Sequence, residues 1–235
     1  MPFDTTDWSV VLKAARGDTT DCRAALATLC EAYWYPVYAF VRRSGHAAAD
    51  AEDLTQAYFA CFLEREYLRQ VRPDHGRFRS FLLVSVRNFL HNERDRGRTL
   101  KRGGRRRFVP LEGEEGEVLY GKEPVESVTP ETLFERAWVG AVLDRTLGRL
   151  AAEHEGDPRG SRFARLRPFL MEDGGSSTYA EVAREWGVGE AAVWVAVYRM
   201  RRRFVYFLRQ EVGRTVADPG DVEEEIRYLL TAASR

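Results

Sequence analysis

The side chains in this sequence that are best suited to chemistry are cations that recur at helical spacing. Four of them share one face of a predicted helix, at intervals of three and four residues: Arg87, His91, Arg94 and Arg98. The planar fork of arginine binds two phosphate oxygens at once, so the stripe predicts contacts with a nucleic-acid backbone. A solvated face without a ligand is the alternative.

The stretch from Thr178 to Phe204 has the spacing of a helix-turn-helix. Ala183 allows two helices to cross closely, Gly187 provides the positive φ of a tight turn, and Val193 fills the angle between the helices. The second helix has an apolar side made of Val193, Val197, Met200 and Phe204. Its far half carries Arg199, Arg201, Arg202 and Arg203, where the phosphates of a bound duplex would lie.

The groove-facing positions of this second helix are largely apolar. They are Glu190, Ala191, Trp194, Val195 and Tyr198. Apolar side chains contact thymine methyl groups, but they cannot form the bidentate hydrogen bonds that discriminate best between bases. A contact with protein is therefore an open alternative for Trp194.

An acidic pattern lies on a helix predicted from Asp50 to Arg69. Asp50, Asp53 and Gln56 recur every third residue, away from the apolar stripe. Acidic residues near a helix N-terminus are favoured by the macrodipole. A docking face for a basic partner is the second interpretation.

The sequence contains no catalytic constellation. Its histidines, at positions 46, 75, 91 and 154, lack ligand spacing, and neither a glycine-rich phosphate loop nor a nucleophile motif is present. We therefore expect no enzyme, no cofactor and no metal. The three cysteines lack metal or redox spacing, and no segment has the pattern of a signal peptide or a membrane span. These features favour a cytoplasmic protein without membrane insertion.

Charge is segregated along the chain although the formal net charge is zero. Residues 93–107 are strongly basic and residues 112–126 strongly acidic. The acidic segment is poor in core-forming residues, which predicts an extended or mobile linker. It is also a candidate to lie against the basic face.

These patterns predict an all-α fold of two helical domains joined by a flexible polar linker. The expected parts are a first domain at 1–102, the linker at 103–128, a helix-turn-helix domain at 129–211 and a C-terminal extension at 212–235. The extension should form a short amphipathic helix packed back on its own domain, with a regulatory partner site as the alternative. Pro36 should break or kink a helix that resumes to Arg43. Other helices should run from about Phe78 to Arg98 and begin at Thr129-Pro130.

Three segments together resemble the extracytoplasmic-function sigma factors of bacterial RNA polymerase. Residues 45–59 (GHAAADAEDLTQAYF) and 78–96 (FRSFLLVSVRNFLHNERDR) are similar to the first domain of that family. The helix-turn-helix pattern at Tyr179 is similar to the second domain. The ordered pair of motifs is more specific than either motif alone.

The resemblance implies roles for particular residues. Asp50, Asp53 and Gln56 would bind a coiled coil on the largest polymerase subunit. The helix near Arg77 to Arg98 would capture an unstacked base of the non-template promoter strand, a step that needs cations and stacking surfaces. The implied DNA contacts are Arg77, Arg79, Ser80, Arg87, Asn88, His91, Asn92, Arg94 and Arg98, and in the second domain Glu190, Ala191, Trp194, Val195, Tyr198, Arg199 and Arg202.

The sequence thus favours a sigma-type initiation factor that binds core RNA polymerase, recognises promoter DNA and assists strand opening. An anti-sigma or other regulatory protein is a further candidate partner. One alternative is a helix-turn-helix transcriptional regulator without polymerase binding. Another is a protein-interaction module that has lost DNA reading.

Overall fold

The structure of the protein, a computed structural model, describes Trp8 and residues 20–63, 77–99, 113–121, 128–154, 161–170 and 178–233. In these ranges the fold is all-α, as predicted, and the only β-type pairing is an isolated bridge between Arg77 and Val216. The α-helices are α1 (Thr20–Arg43), α2 (Ala48–Leu63), α3 (Phe78–Thr99), α4 (Gly113–Tyr120), α5 (Pro130–His154), α6 (Ser161–Leu166), α7 (Tyr179–Trp186), α8 (Glu190–Gly213) and α9 (Val222–Ala233). No helix in the described ranges is both long enough and apolar enough to cross a bilayer.

The helices belong to two compact units. Unit 1 comprises Met1–Ala141 and Val212–Arg235, and unit 2 comprises Val142–Glu211. The C-terminal extension therefore packs in unit 1, and not on the preceding helix-turn-helix segment as the sequence suggested. The domain boundaries placed at 102 and 129 stay predictions.

Aromatic side chains build the core of unit 1 around the start of α3. Phe78 is fully buried, and its ring centroid lies 4.8 Å from that of Trp8 and 4.9 Å from that of Tyr33. Phe62 of α2 lies 6.1 Å from the same ring. Each fully buried ring of this kind stabilises the fold by about 1.5–3 kcal/mol, so the cluster fixes the first turn of α3 against α1 and α2.

The C-terminal extension satisfies backbone groups beside this cluster. The Phe78 N–H donates to the Thr215 carbonyl, and the Trp8 N–H donates to the Arg214 carbonyl, both at 2.9 Å. The first amides of a helix have no acceptor within the helix, so the Thr215 carbonyl supplies one to α3. The chain then continues into α9, which buries Val222 and Leu229.

Part of the predicted linker is helical and docked, which corrects the expectation of an extended segment. Glu117 of α4 accepts hydrogen bonds from Nε and Nη2 of Arg42, at 2.9 and 2.8 Å, and from the Tyr38 hydroxyl at 2.5 Å. The acidic segment therefore contacts α1, and this glutamate does not lie against the stripe that contains Arg87. Residues 103–112 and 122–127 of the predicted linker lie outside the described residues.

Helix α1 passes through Pro36 without the break that the sequence suggested. A proline inside a helix removes one backbone hydrogen bond and costs about 3 kcal/mol. Tyr33, Val37 and Phe40 on either side of Pro36 are buried, and their burial offsets this cost.

Unit 2 positions α7 and α8 on a small apolar core. Its buried members include Leu150, Leu166, Phe169, Val182, Val193, Val197, Met200 and Phe204. Glu211, near the end of α8, is also buried and pairs with Arg149 at 2.7 Å. This pairing compensates for burying the carboxylate.

Candidate functional site

The predicted cationic stripe of α3 is solvent-exposed. Arg87, His91 and Arg94 all lie on the surface, as do Ser80, Asn88 and Asn92 on the same helix. Arg98 belongs to α3, but its side chain lies outside the described residues. The apolar face, with Phe78, Leu82, Val86 and Phe89, is buried. Packing therefore presents the stripe to solvent on a helix anchored along its opposite side.

Two residues of the stripe have acidic neighbours. Nη2 of Arg87 lies 2.6 Å from Oε1 of Glu131, in the first turn of α5. Nδ1 of His91 lies 3.3 Å from Oδ2 of Asp95, one turn further along α3. Arg94 is exposed and makes no ion pair with any residue that the structure describes. These pairs are exposed and worth about 0–1 kcal/mol each, so a phosphate can replace the carboxylates at low cost.

The two arginines at the start of α3 have different surroundings. Arg79 is buried, with 8% of its surface accessible, and its Nε donates to Oε1 of Glu225 at 2.5 Å. Its guanidinium lies 3.8 Å from the centre of the Tyr228 ring. Arg77 is partly exposed and bonds to Glu224, while its Nε lies 3.0 Å from Oε2 of Glu225.

The Arg79–Glu225 pair is an element of the core. Burial lowers the pKa of the Arg79 guanidinium, but the hydrogen bonds and charge of Glu225 raise it by more, so the arginine stays charged. Two opposite charges that share hydrogen bonds avoid most of the cost of burying either one alone. Arg79 is thus placed inside unit 1, away from the exposed stripe.

The acidic face of α2 is accessible. Asp50 and Asp53 are exposed, and Gln56 is half-buried with its amide directed to Glu52 at 3.4 Å. On the opposite face Tyr58 is buried, and its hydroxyl is hydrogen-bonded to Ser85 of α3. This arrangement leaves two carboxylates about one helical turn apart for a basic partner.

In unit 2, a turn of three residues joins α7 to α8. Gly187 ends α7 with a φ of 64°, as predicted, and its N–H donates to carbonyls of α7. A side chain in this conformation costs about 1–2 kcal/mol, which explains the glycine. Thr178 and Glu181 form a capping box that fixes the start of α7, and the T-x-x-E spacing in the sequence is the signal for this box.

The outer face of α8 is a continuous apolar and basic surface. Trp194 is 61% exposed, and its ring is parallel to that of Tyr198 with centroids 6.3 Å apart. The other predicted groove-facing residues, Glu190, Ala191 and Val195, are also exposed. On the opposite side Val193, Val197, Met200 and Phe204 are buried, which confirms the predicted inner face.

Four of the five arginines of α8 divide into two pairs. Arg199 and Arg202 are exposed and make no ion pair within the described part of the chain. Arg201 donates to the Phe169 carbonyl at 2.8 Å, and Arg203 pairs with Glu153 at 2.5 Å. The first pair is available to a ligand, whereas the second pair stabilises unit 2.

The partners Glu117, Glu224 and Glu225 could not be found by sequence reasoning. Glu225 and Arg79 are 146 positions apart, and neighbouring glutamates look like an ordinary solvated run. For Glu117, the segregation of charge between residues 93–107 and 112–126 is a signal that an acidic segment can dock on a basic side chain.

No family model, characterised protein or solved structure matches the chain. Within the described ranges, no group of three or more histidine, cysteine, aspartate or glutamate side chains is placed to hold a metal ion.

Proposed function

We propose that the protein is a sigma-type transcription initiation factor. Unit 1 would bind core RNA polymerase through α2 and an unpaired promoter strand through α3. The segment α7–turn–α8 would act as a helix-turn-helix on duplex DNA. RNA synthesis itself would belong to the polymerase.

The observation that carries this proposal is a consistent division between exposed and buried residues. The implied contact residues with described side chains are exposed, except for Gln56, Arg77 and Arg79. On the opposite faces of the same two helices, Leu82 and Val86 of α3 and Val193 and Val197 of α8 are buried. The outer faces of these helices therefore present arginine, asparagine and aromatic side chains, which are groups suited to phosphates and bases.

We propose fewer DNA-contacting residues in unit 1 than the sequence resemblance implies. Arg87 and Arg94 supply exposed cations about two turns apart on α3, and His91 is exposed between them. Asn88 and Asn92 lie beside them and can both donate and accept hydrogen bonds. We assign the contact with an unpaired strand to these five residues and a packing role to Arg79.

The test is binding to purified core RNA polymerase, measured by co-elution in size-exclusion chromatography. The proposal predicts a stable complex that is lost with Asp53→Arg, because the substitution reverses a charge at the centre of the acidic face. Asp144→Arg is the matched control, since Asp144 is an exposed aspartate of α5 in unit 2. Equal binding by both variants, or no complex with the wild type, would contradict the proposal.

A protein-interaction module is the second candidate, favoured by the outer face of α8. Trp194, Val195, Tyr198, Val205 and Tyr206 are all at least 40% exposed. An apolar patch of this kind on one helix is typical of a surface that binds protein. Footprinting of the polymerase complex separates the candidates, because a helix-turn-helix protects upstream duplex DNA and an interaction module does not.

A further inference from the structure

The first turn of α9 carries three consecutive glutamates, Glu223, Glu224 and Glu225. Two of them meet the arginines at the start of α3. Glu224 is hydrogen-bonded to Nη2 of Arg77, and Glu225 lies within 3.0 Å of Nε of the same arginine. The C-terminal extension therefore brings negative charge to one end of the helix proposed to bind a nucleic-acid strand.

The two carboxylates differ in exposure. The Glu225 side chain is 1% exposed and holds Arg79 in the core, whereas the Glu224 side chain is 62% exposed. An exposed ion pair is worth about 0–1 kcal/mol and exchanges readily with other ions. Glu225 is thus a permanent anchor, and Glu224 occupies a site from which it can be displaced.

A phosphate is a direct competitor for that site. The arginine fork binds carboxylate and phosphate oxygens with similar bidentate geometry. Arg77 immediately precedes α3, where the positive end of the helix dipole also favours an anion. Glu224 and a backbone phosphate would therefore compete for the same side chain.

The C-terminal extension holds Glu224 in position beside Arg77. The Phe78 N–H to Thr215 carbonyl hydrogen bond and the Arg77–Val216 bridge fix the chain just before α9. Buried Val222 and Leu229 fix α9 itself. A tethered group acts at a high effective concentration, so even a weak ion pair attenuates binding of a free ligand.

We propose that Glu224 is a built-in competitor for phosphate at Arg77, through which the C-terminal extension attenuates binding of single-stranded nucleic acid to unit 1. This inference rests on the proposed function of α3. It assigns a regulatory role to the extension in addition to its packing role.

The experiment is a fluorescence-anisotropy titration of the full chain with a labelled single-stranded DNA of about 20 nucleotides, at several salt concentrations. Glu224→Gln should bind about two- to five-fold more tightly at low salt. Its plot of log affinity against log salt should steepen by about 0.7, the value for one additional phosphate contact on a single strand. Arg77→Gln/Glu224→Gln should show no gain over Arg77→Gln.

The control is Glu31→Gln, which removes the same charge from an exposed position of α1 in unit 1. A gain in Glu31→Gln equal to that in Glu224→Gln, or a gain that persists without Arg77, would overturn the inference. The inference would also be overturned if the wild type bound single-stranded DNA and Glu224→Gln bound it with the same affinity. In that outcome the proposed function of α3 would survive. Absence of binding by every variant would remove the proposed role of α3 in strand binding and the inference with it.

Discussion

The arginines at the start of α3 and those further along the helix have different environments. At the N-terminal end Arg77 and Arg79 are paired with carboxylates of α9, and Arg79 is buried. Further along, Arg87 shares an exposed ion pair with Glu131, and Arg94 is exposed without an ion pair among the described residues. Both pairs have the same basic character in the sequence, and the carboxylates that pair with Arg77 and Arg79 lie 147 and 146 positions away in the chain.

Helix electrostatics explains why the N-terminal pair needs partners. The positive end of the helix macrodipole disfavours cations, and the first turn of α3 contains no acidic residue of its own. Glu224 and Glu225 supply the missing negative charge from α9. The comparison teaches that an arginine available to a ligand must be identified by its neighbours in space, and not by its spacing in sequence.

The largest effect that this comparison predicts is on the free energy of unfolding. Glu225→Gln removes the closest carboxylate from the buried Arg79 and leaves, among the described residues, only Glu135, whose Oε1 lies 3.8 Å from Nη1. The loss of this buried pair should lower the free energy of unfolding by about 3–5 kcal/mol. Glu224→Gln should lower it by less than about 1 kcal/mol, because that pair is exposed. Urea denaturation followed by tryptophan fluorescence measures both, and equal losses would show that the two carboxylates do not differ as described.

A second prediction concerns nucleic-acid affinity at the two ends. Arg94→Gln should weaken binding of single-stranded DNA about fivefold and reduce the salt slope by about 0.7, because an available cation is lost. Arg77→Gln should change affinity less than about twofold, because that charge is already paired with Glu224 and Glu225. The anisotropy titration described above measures both variants, and a larger loss at Arg77 would reverse the comparison.

The smallest predicted effect concerns the docking of α4 on α1, where Arg42 is hydrogen-bonded to Glu117. Hydrogen bonds from Arg42, and then from Tyr38, keep the pKa of Glu117 below its ordinary value of 4.5. A lowered pKa in the folded state stabilises docking at neutral pH, and this contribution is lost as the pH falls through the folded pKa. The group is partly exposed, so the contribution is expected to be below about 1 kcal/mol.

Hydrogen exchange of the α4 amides should therefore accelerate, relative to the intrinsic rate, as the pH falls from 6 towards 3. Glu117→Gln should accelerate exchange at pH 6 and remove most of that dependence. An unchanged pH profile in Glu117→Gln would mean that another group controls docking.

Local features of this molecule could be predicted from its sequence. The extent of α3, the start of α5 after Thr129, the positive φ of Gly187 and the buried face of α8 all agree with the structure. Each depends on residues within one or two helical turns, where periodicity and backbone sterics decide the outcome.

Features that depend on distant contacts could not be predicted. Pro36 is tolerated because the surrounding residues of α1 are buried, which the proline itself does not indicate. In the sequence, Gly116 is indistinguishable from a linker glycine. In the structure it allows α4 to approach α1 closely, because a Cβ at this position would lie 2.9 Å from the Trp34 ring. Arginine is a residue type that commonly contacts DNA, so the sequence assigns Arg79 to a DNA contact. Its buried partner Glu225 can be identified only from the fold.

Run-off transcription with purified core RNA polymerase on genomic DNA fragments tests the central claim most directly. The account predicts transcripts from discrete start sites that require the protein. They should disappear with Asp53→Arg, which reverses a charge on α2, and weaken with Arg94→Gln, which removes an exposed cation of α3. Transcription no greater than that of core polymerase alone would contradict the account.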